Sequence, residues 1–213
     1  MRAVIWDLGG TLVDTYPDVD RALASAIESR PSSELLHEVA QLTRVSSSHA
    51  ISTLATRHDV SGQRLRTAYE ATKLHWQEHP PPVNDGAREL LAAVQEQGGL
   101  NLVCTHRDRD SAAALLDSLD LQVHDMVCAP DGYARKPDPE MVHALLALHS
   151  LRALDCLAVG DRPTDVAAAR AAGVRGVLLE TPGVPLEAGD AERVTSLGEL
   201  LLQVGRSAGP TGV

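Results

Sequence analysis

The stretch AVIWDLGGTLVD, residues 3–14, decides the fold. Its first four residues are apolar without alternation, which is typical of a central strand covered on both faces of a sheet. Asp7 stands where this strand should end, and Gly9 and Gly10 follow it as the mark of a tight turn. The stretch therefore predicts a buried strand that delivers a carboxylate to the edge of a sheet.

Similar apolar runs recur along the chain and alternate with helical patterns. The runs cover residues 100–104, 125–128, 156–160 and 176–179, and the helical patterns cover 84–98, 108–120, 138–149, 163–173 and 197–204. This alternation predicts an α/β fold with a doubly wound parallel sheet and helices on both faces. The residues from 205 onward have the composition of a loose tail.

The connection between the first two predicted strands is far longer than a single helix requires. Residues 17–79 contain several helical patterns, and HPPPVND, residues 79–85, then interrupts them. We therefore predict two domains. Residues 1–14 and 81–213 would form the α/β core, and residues 15–80 would form an inserted, all-helical domain.

Composition and charge narrow the possible partners. The formal net charge of −10 argues against nucleic acid and anionic membranes. No apolar run approaches the roughly 20 residues of a membrane span, and the N-terminus has no signal-peptide pattern. We expect a cytoplasmic protein whose cysteines, Cys104, Cys128 and Cys156, are buried free thiols.

Polar residues follow four of the predicted strands, and the carboxyl ends of parallel strands meet at one edge of a sheet. Taken singly, each is more typical of a helix cap or a solvated loop. Together they suit Mg²⁺ and phosphate: carboxylates are hard oxygen ligands, hydroxyl and backbone N–H groups hold phosphate oxygens, and an aspartate can attack phosphorus. The residues are Asp7, Thr105, His106, Lys136, Asp161 and Asp165.

The same residues resemble the four motifs of the haloacid dehalogenase superfamily of phosphatases, in the right order. DLGGT (residues 7–11) is similar to the first motif, Asp-x-Asp-x-Thr, and LVCT (102–105) is similar to the second. Lys136 in RKPDPE matches the third, and VGDRPTD (159–165) matches the fourth. The resemblance implies a Rossmann-like core, a helical cap formed by the insert, Mg²⁺ as cofactor and a small phosphorylated metabolite as substrate.

The resemblance also implies a role for each matching residue. Asp7 would be the nucleophile, Thr105, Gly10 and His106 would contact the phosphoryl group, and Lys136 would balance charge beside the substrate. The metal would be held by Asp7, the Gly9 carbonyl and Asp161, with Asp165 as a supporting carboxylate. An ammonium suits the third position in a chain with 17 arginines and only two lysines.

Gly9 departs from the family pattern, which has a second aspartate there as general acid and base. The loss of such a group typically costs roughly 10²–10⁴ in rate. His106 is the nearest candidate replacement in the sequence, because histidine has a suitable pKa. Further candidates are Asp14 and the histidines of the insert: His37, His49, His58, His75 and His79.

Several functional hypotheses remain open beside an Mg²⁺-dependent phosphatase with an aspartyl-phosphate intermediate. The enzyme could require good leaving groups such as acyl phosphates, or the chain could be a phosphate-binding regulatory protein with vestigial catalysis. A phosphonatase is less favoured because Lys73 lies at the wrong end of the insert, and GDRPTD disfavours a metal-free dehalogenase. IWDLGGTL, CTHRD, RKPDPE and GDRPTD together resemble a phosphoglycolate-phosphatase-like subgroup in which glycine is standard.

Overall fold

The computed structural model describes residues 1–205, so the predicted tail beyond Gly205 lies outside the described residues. The strands are β1 (Ala3–Trp6), β2 (Leu100–Thr105), β3 (Asp125–Cys128), β4 (Cys156–Gly160), β5 (Arg175–Leu179) and β6 (Glu192–Val194). The α-helices are α1 (Tyr16–Ile27), α2 (Ser33–Val45), α3 (Ser47–Arg57), α4 (Gly62–His75), α5 (Ala87–Glu96), α6 (Arg109–Ser118), α7 (Glu140–Leu148), α8 (Pro163–Ala171) and α9 (Leu201–Gly205). Short 3₁₀ helices cover Ala129–Asp131, Ala153–Asp155 and Leu197–Leu200.

The strands form one parallel sheet in the order β3-β2-β1-β4-β5-β6. This confirms the predicted doubly wound sheet. The chain leaves β1 for β2 on one side and later returns to β4 on the other, so the strand order reverses between β1 and β4. In such sheets a crevice opens at the carboxyl ends of the strands at this point. The fold therefore predicts a binding site where β1 and β4 end.

The central strand is buried on both faces, as its unbroken apolar run predicts. Ala3 and Ile5 pack with α7 and α8 residues in one hydrophobic cluster, whereas Val4 and Trp6 pack with α5 and α6 residues in another. The Trp6 indole N–H donates to the buried side chain of Asn101, with 3.1 Å between Nε1 and Oδ1. The strand thus fixes the position of the residue that follows it.

Two segments of the predicted secondary structure differ in detail. β6 was not predicted because three residues at the edge of the sheet are too short to show a period. The helix predicted over residues 197–204 starts as the 3₁₀ helix Leu197–Leu200 and continues as α9. β6 lies at the edge of the sheet, three strands away from β1, whereas the second segment packs against α5.

The chain divides into two compact units, residues 14–82 and the remainder of the described chain. The unit of residues 14–82 contains α1 to α4 around its own hydrophobic cluster, which includes Leu23, Val39, Leu54 and Leu65. The predicted insert, residues 15–80, begins one residue after the start of this unit and ends two residues before its end. We name residues 14–82 the helical unit and the rest the core unit.

The helical unit also contains a buried polar cluster. The Arg44 guanidinium pairs with the Asp20 carboxylate, and the Thr43 hydroxyl donates to the same carboxylate at 2.7 Å. The guanidinium carbon lies 3.7 Å from the centre of the Tyr16 ring. These contacts tie α2 to α1, since buried charges are stable only when they are paired. None of the helices within residues 1–205 has the length and apolar character needed to cross a bilayer.

Candidate active site

Asp7 is held at the end of β1 by the backbone of the neighbouring strand β4. Its N–H donates to the Val159 carbonyl of β4, with 2.9 Å between N and O. The turn that follows is fixed by Asn84, whose side-chain amide donates to the carbonyls of Gly10 and Thr11 at 3.0 and 2.8 Å. The carboxylate of Asp7 therefore leaves the sheet at the point where the strand order reverses.

Lys136 reaches the Asp7 carboxylate from the loop after β3. Its ammonium Nζ lies 2.5 Å from Asp7 Oδ1, 2.6 Å from Asp165 Oδ1 and 2.9 Å from the Cys104 carbonyl oxygen. Only 7% of the residue is exposed. The three contacts use the three N–H donors of one ammonium, so the lysine joins the ends of β1 and β2 to the start of α8.

The fourth motif supplies two carboxylates in different surroundings. Asp161 is fully buried and accepts a hydrogen bond from the Thr11 hydroxyl at 2.9 Å. Asp165 accepts from the Arg162 N–H at 2.9 Å and so caps the N-terminus of α8. Its side chain folds back over Gly160, where an added Cβ would lie 2.3 Å from the Asp165 Cβ. Glycine at the end of β4 is therefore required by the position of Asp165.

These carboxylates form one cluster. Oxygen atoms of Asp7, Asp161 and Asp165 all lie within 4.8 Å of one another. Burial raises the pKa of Asp7 to about 6; Lys136 opposes this rise, and the other two carboxylates add to it. Burial lowers the pKa of Lys136, but the Asp165 and Asp7 carboxylates outweigh it and leave that pKa raised.

The cluster has the donor chemistry and the charge to hold a divalent metal ion. Its three carboxylates and one ammonium carry a formal charge of −2 when all are ionised. A hard divalent cation bound by carboxylate oxygens would offset this charge, and Mg²⁺ usually binds through one or two carboxylates and keeps several waters. The chain thus brings together three of the four predicted metal ligands.

Gly9, the fourth predicted ligand, and Gly10 occupy the turn after Asp7. Gly10 has a φ of 99°, which side chains rarely tolerate, and its N–H donates to the Val13 carbonyl at 2.7 Å. Gly10 was predicted to contact the phosphoryl group, and this bond engages its N–H within the turn. Gly9 is half-buried and does not share the positive φ of Gly10, so its backbone does not demand glycine.

Thr105 and His106, at the end of β2, have separate partners. The buried Thr105 hydroxyl oxygen accepts from the Arg107 N–H at 3.2 Å, which leaves its own hydrogen to be donated. His106 Nε2 accepts from the backbone N–H of Lys136 at 2.8 Å. Burial lowers the pKa of His106 to about 3, with the nearby cations of Lys136 and Arg135 acting in the same direction.

The other candidate acid and base groups lie in the helical unit. Burial raises the pKa of Asp14 from its usual value. Two of the histidines have side-chain partners. His58 Nε2 lies 2.8 Å from Glu38 Oε2, and His37 Nε2 lies 3.0 Å from Gln41 Nε2. The rings of His75 and His79 contact each other, with 4.7 Å between centroids, and His49 lies in the first turn of α3.

Sequence reasoning missed Thr11, Asn84 and Arg162. Thr11 binds Asp161, Asn84 holds the turn after Asp7, and Arg162 Nε lies 3.9 Å from Asp161 Oδ2. Thr11 is the threonine of the first motif, Asp-x-Asp-x-Thr, so the match to that motif was an available signal. Asn84 gave a weaker signal, because it follows three prolines in a segment interpreted only as a linker.

Comparisons with known proteins show the family and the fold of this chain. A family model for haloacid dehalogenase-like hydrolases matches residues 1–173. The phosphoglycolate phosphatase of Rhodospirillum rubrum is 33% identical over 191 residues, which cover 84% of this chain and 79% of that protein. The enzyme of the same name from Mesorhizobium japonicum is 30% identical over 188 residues, covering 83% and 82%. The crystal structure of a predicted phosphoglycolate phosphatase from Haemophilus somnus matches with a TM-score of 0.78 at 20% identity, covering 95% and 97%.

Proposed function

Since the chain belongs to the haloacid dehalogenase-like hydrolase family, we propose that it uses Mg²⁺ and a phosphorylated Asp7 to hydrolyse a small phosphorylated metabolite. Its place among the phosphatases of this family follows from the phosphoglycolate phosphatases that it resembles. Phosphoglycolate, named for those relatives, is the first substrate to test. The use of Mg²⁺, the aspartyl-phosphate intermediate and the choice of substrate are what this proposal adds to the family assignment.

One observation carries the proposal: the Lys136 ammonium bridges Asp7 and Asp165 at 2.5 and 2.6 Å, with the Asp161 carboxylate in the same cluster. The lysine holds Asp7 Oδ1 and so orients the carboxylate. Buried, crowded carboxylates next to a fixed ammonium are poorly explained by stability, because an uncompensated buried charge is costly. They are well explained as a site for a divalent cation and a phosphate group.

The reaction divides into two displacements at phosphorus. An oxygen of Asp7 attacks the phosphoryl group, and the bond from phosphorus to the leaving oxygen breaks with its electron pair on that oxygen, which takes a proton from solvent water. Water then attacks the same phosphorus, the bond to Asp7 breaks, and inorganic phosphate leaves. Thr105 donates its hydroxyl hydrogen to a phosphoryl oxygen, and Lys136 offsets the negative charge. When bound, Mg²⁺ supplies further charge compensation at the phosphoryl oxygens.

The metal and the nucleophile are tested together. Hydrolysis of phosphoglycolate, an acyl phosphate and common phosphomonoesters is measured with Mg²⁺, with EDTA, and after Mg²⁺ is restored. We expect EDTA to abolish turnover and Mg²⁺ to recover it. We expect Asp7→Asn to lower kcat by roughly 10³-fold or more. We also expect the wild type, but not this variant, to form an aspartyl-phosphate, detected as protein-bound phosphate that alkali releases.

Asp155→Asn is the matched control, because Asp155 pairs with Arg152 on the surface of the core unit. It should retain the wild-type kcat. Asp161→Ala should no longer respond to Mg²⁺. Equal turnover with and without EDTA would refute the metal requirement, and full activity in Asp7→Asn would refute the intermediate.

We further propose that the reaction depends strongly on the leaving group, because Gly9 provides no acid to protonate it. A missing general acid costs roughly 10²–10⁴ in rate for a poor leaving group and little for a good one. Rates for a series of aryl phosphates are plotted against the pKa of the released phenol. We expect a steep decline as that pKa rises, and a flat plot would show that another group supplies the proton.

A further inference from the structure

His106 is joined to Lys136 rather than aimed at a reacting group. It follows Thr105 at the end of β2, and its Nε2 accepts from the Lys136 backbone N–H at 2.8 Å although 30 positions separate the two residues in the chain. Lys136 is consequently fixed at both ends. The imidazole holds its backbone, while Asp7, Asp165 and the Cys104 carbonyl hold its ammonium.

We propose that His106 is a positioning residue, which sets the Lys136 backbone so that the ammonium reaches Asp7 and Asp165, and that it is not the missing acid or base. The inference rests on the proposed function, because that function gives Lys136 its task. It replaces the sequence-based interpretation in which His106 was a candidate catalytic group.

The direction of the hydrogen bond excludes proton transfer at Nε2. A backbone N–H can only donate, so the Nε2 lone pair is the acceptor and the neutral ring carries its hydrogen on Nδ1. The lone pair that would take a proton is already engaged. A general base must reach the proton that it removes, and this nitrogen instead faces the lysine backbone.

The charges around His106 favour the same conclusion. Burial disfavours the imidazolium, and the cations of Lys136, Arg135 and Arg162 disfavour it further, whereas only Asp165 among the named neighbours acts in the opposite direction. The pKa of His106 falls to about 3. The ring therefore stays neutral and keeps its hydrogen bond to Lys136 throughout the range in which a phosphatase would be assayed.

Two substitutions separate positioning from proton transfer. His106→Gln can place an amide oxygen near the position of Nε2, where it accepts from the Lys136 N–H but cannot exchange a proton. His106→Leu has a similar size and no acceptor. We expect the glutamine variant to keep most of kcat and the leucine variant to lose roughly 10- to 100-fold with little change in KM, because a misplaced group costs that much in rate.

His124→Leu is the matched control. His124 Nδ1 accepts from the Asn101 N–H at 2.9 Å, which is the same kind of bond at the opposite end of β2. The control should cost stability without the fall in kcat. A glutamine variant as impaired as the leucine variant would overturn the inference, and so would an equal fall of kcat in His124→Leu.

A second measurement does not depend on activity. Hydrogen exchange of the Lys136 amide is followed by NMR in the wild type and in both His106 variants. We expect protection in the wild type and the glutamine variant and fast exchange in the leucine variant; equal exchange in all three would overturn the inference. A wild type that hydrolyses no phosphate compound, yet shows the expected exchange pattern, would refute the proposed function and leave the role of His106 intact.

Discussion

At the scale of single residues, the site is organised around Lys136, one of two lysines in the chain. Its ammonium makes three short contacts, and little of the residue is exposed to solvent. An ammonium is compact and can direct its donors to three separate oxygens, whereas a guanidinium is planar and presents its donors as a fork. This difference explains why position 136 has a lysine in a chain whose other basic residues are almost all arginines.

We predict that Lys136→Arg cannot replace the wild-type residue. The larger planar group would push Asp7 and Asp165 apart, and we expect kcat to fall by roughly 10²-fold or more, as for the removal of one electrostatic contact in an active site. Lys73→Arg is the control, because Lys73 pairs with Glu70 on the surface of α4. Steady-state kinetics and phosphate affinity are measured for both, and near-wild-type values for Lys136→Arg would contradict the prediction.

The two glycines in the turn after Asp7 differ in their backbone conformation. Gly10 needs its positive φ, whereas Gly9 does not have one. The backbone angle at position 9 is therefore compatible with an aspartate, and Gly9 carries no carboxylic acid where the family pattern has one. This departure from the family pattern is thus one of side-chain chemistry and not a consequence of the turn.

We predict that Gly9→Asp accelerates hydrolysis of alkyl phosphates, by up to roughly 10²-fold, and changes activated substrates far less. Gly9→Asn is the matched control, since asparagine has the same shape and no proton to give. Both variants are assayed on an alkyl phosphate and on the series of aryl phosphates described above. An equal effect of the two substitutions, or slower turnover in Gly9→Asp, would mean that the wild-type reaction has been rebuilt around a different proton donor.

At the scale of secondary-structure elements, the junction between β4 and α8 places two carboxylates with different tasks. Asp161 directly follows the strand, and Asp165 caps the helix that starts two residues earlier, at Pro163, while also binding Lys136. Gly160 allows this because its missing Cβ leaves room for the Asp165 side chain. One glycine therefore couples the geometry of the helix cap to the position of the lysine.

We predict that Gly160→Ala damages both stability and turnover. The new methyl group would overlap the Asp165 side chain, and overpacking of this kind costs about 1–3 kcal/mol. Displacing Asp165 also removes one of the Lys136 contacts, so kcat should fall together with the thermal midpoint. Gly62→Ala is the control, because its added Cβ meets nothing closer than 3.6 Å inside α4. A wild-type kcat in Gly160→Ala would contradict the coupling.

Most elements, and most of the site, could be predicted from sequence because each has a local signal. Short runs of mainly apolar residues give β1 to β5, and the residues directly after them give Asp7, Thr105, Asp161 and, after a short loop, Lys136. β6 has three residues, which are too few to show the alternation of apolar and polar residues that indicates a strand. The bond from His106 to Lys136 and the bond from Thr11 to Asp161 join residues 30 and 150 positions apart. Their partners depend on side-chain direction, which no local pattern encodes.

At the scale of the whole molecule, the two units have separate hydrophobic interiors. Two clusters lie entirely in the core unit, and the third lies entirely in the helical unit. Val13 and Val83, where the core unit is interrupted, form an antiparallel bridge. The core unit therefore closes at this point through its own backbone, and it contains every residue of the carboxylate cluster together with Lys136.

We predict that the core unit folds and keeps its chemistry when residues 14–82 are replaced by a short glycine linker. It should unfold cooperatively, bind Mg²⁺ and hydrolyse an activated aryl phosphate slowly. We further predict that it discriminates less among substrates than the full-length chain does. Trp76 leaves with the deleted segment, so Trp6 becomes the single tryptophan that reports unfolding by fluorescence. The control is the full-length chain with the same linker inserted between α1 and α2. If the shortened chain melts without cooperativity while the control does not, the two units depend on each other for folding. If it folds but keeps the full substrate preference, selection resides in the core unit and the helical unit has another task.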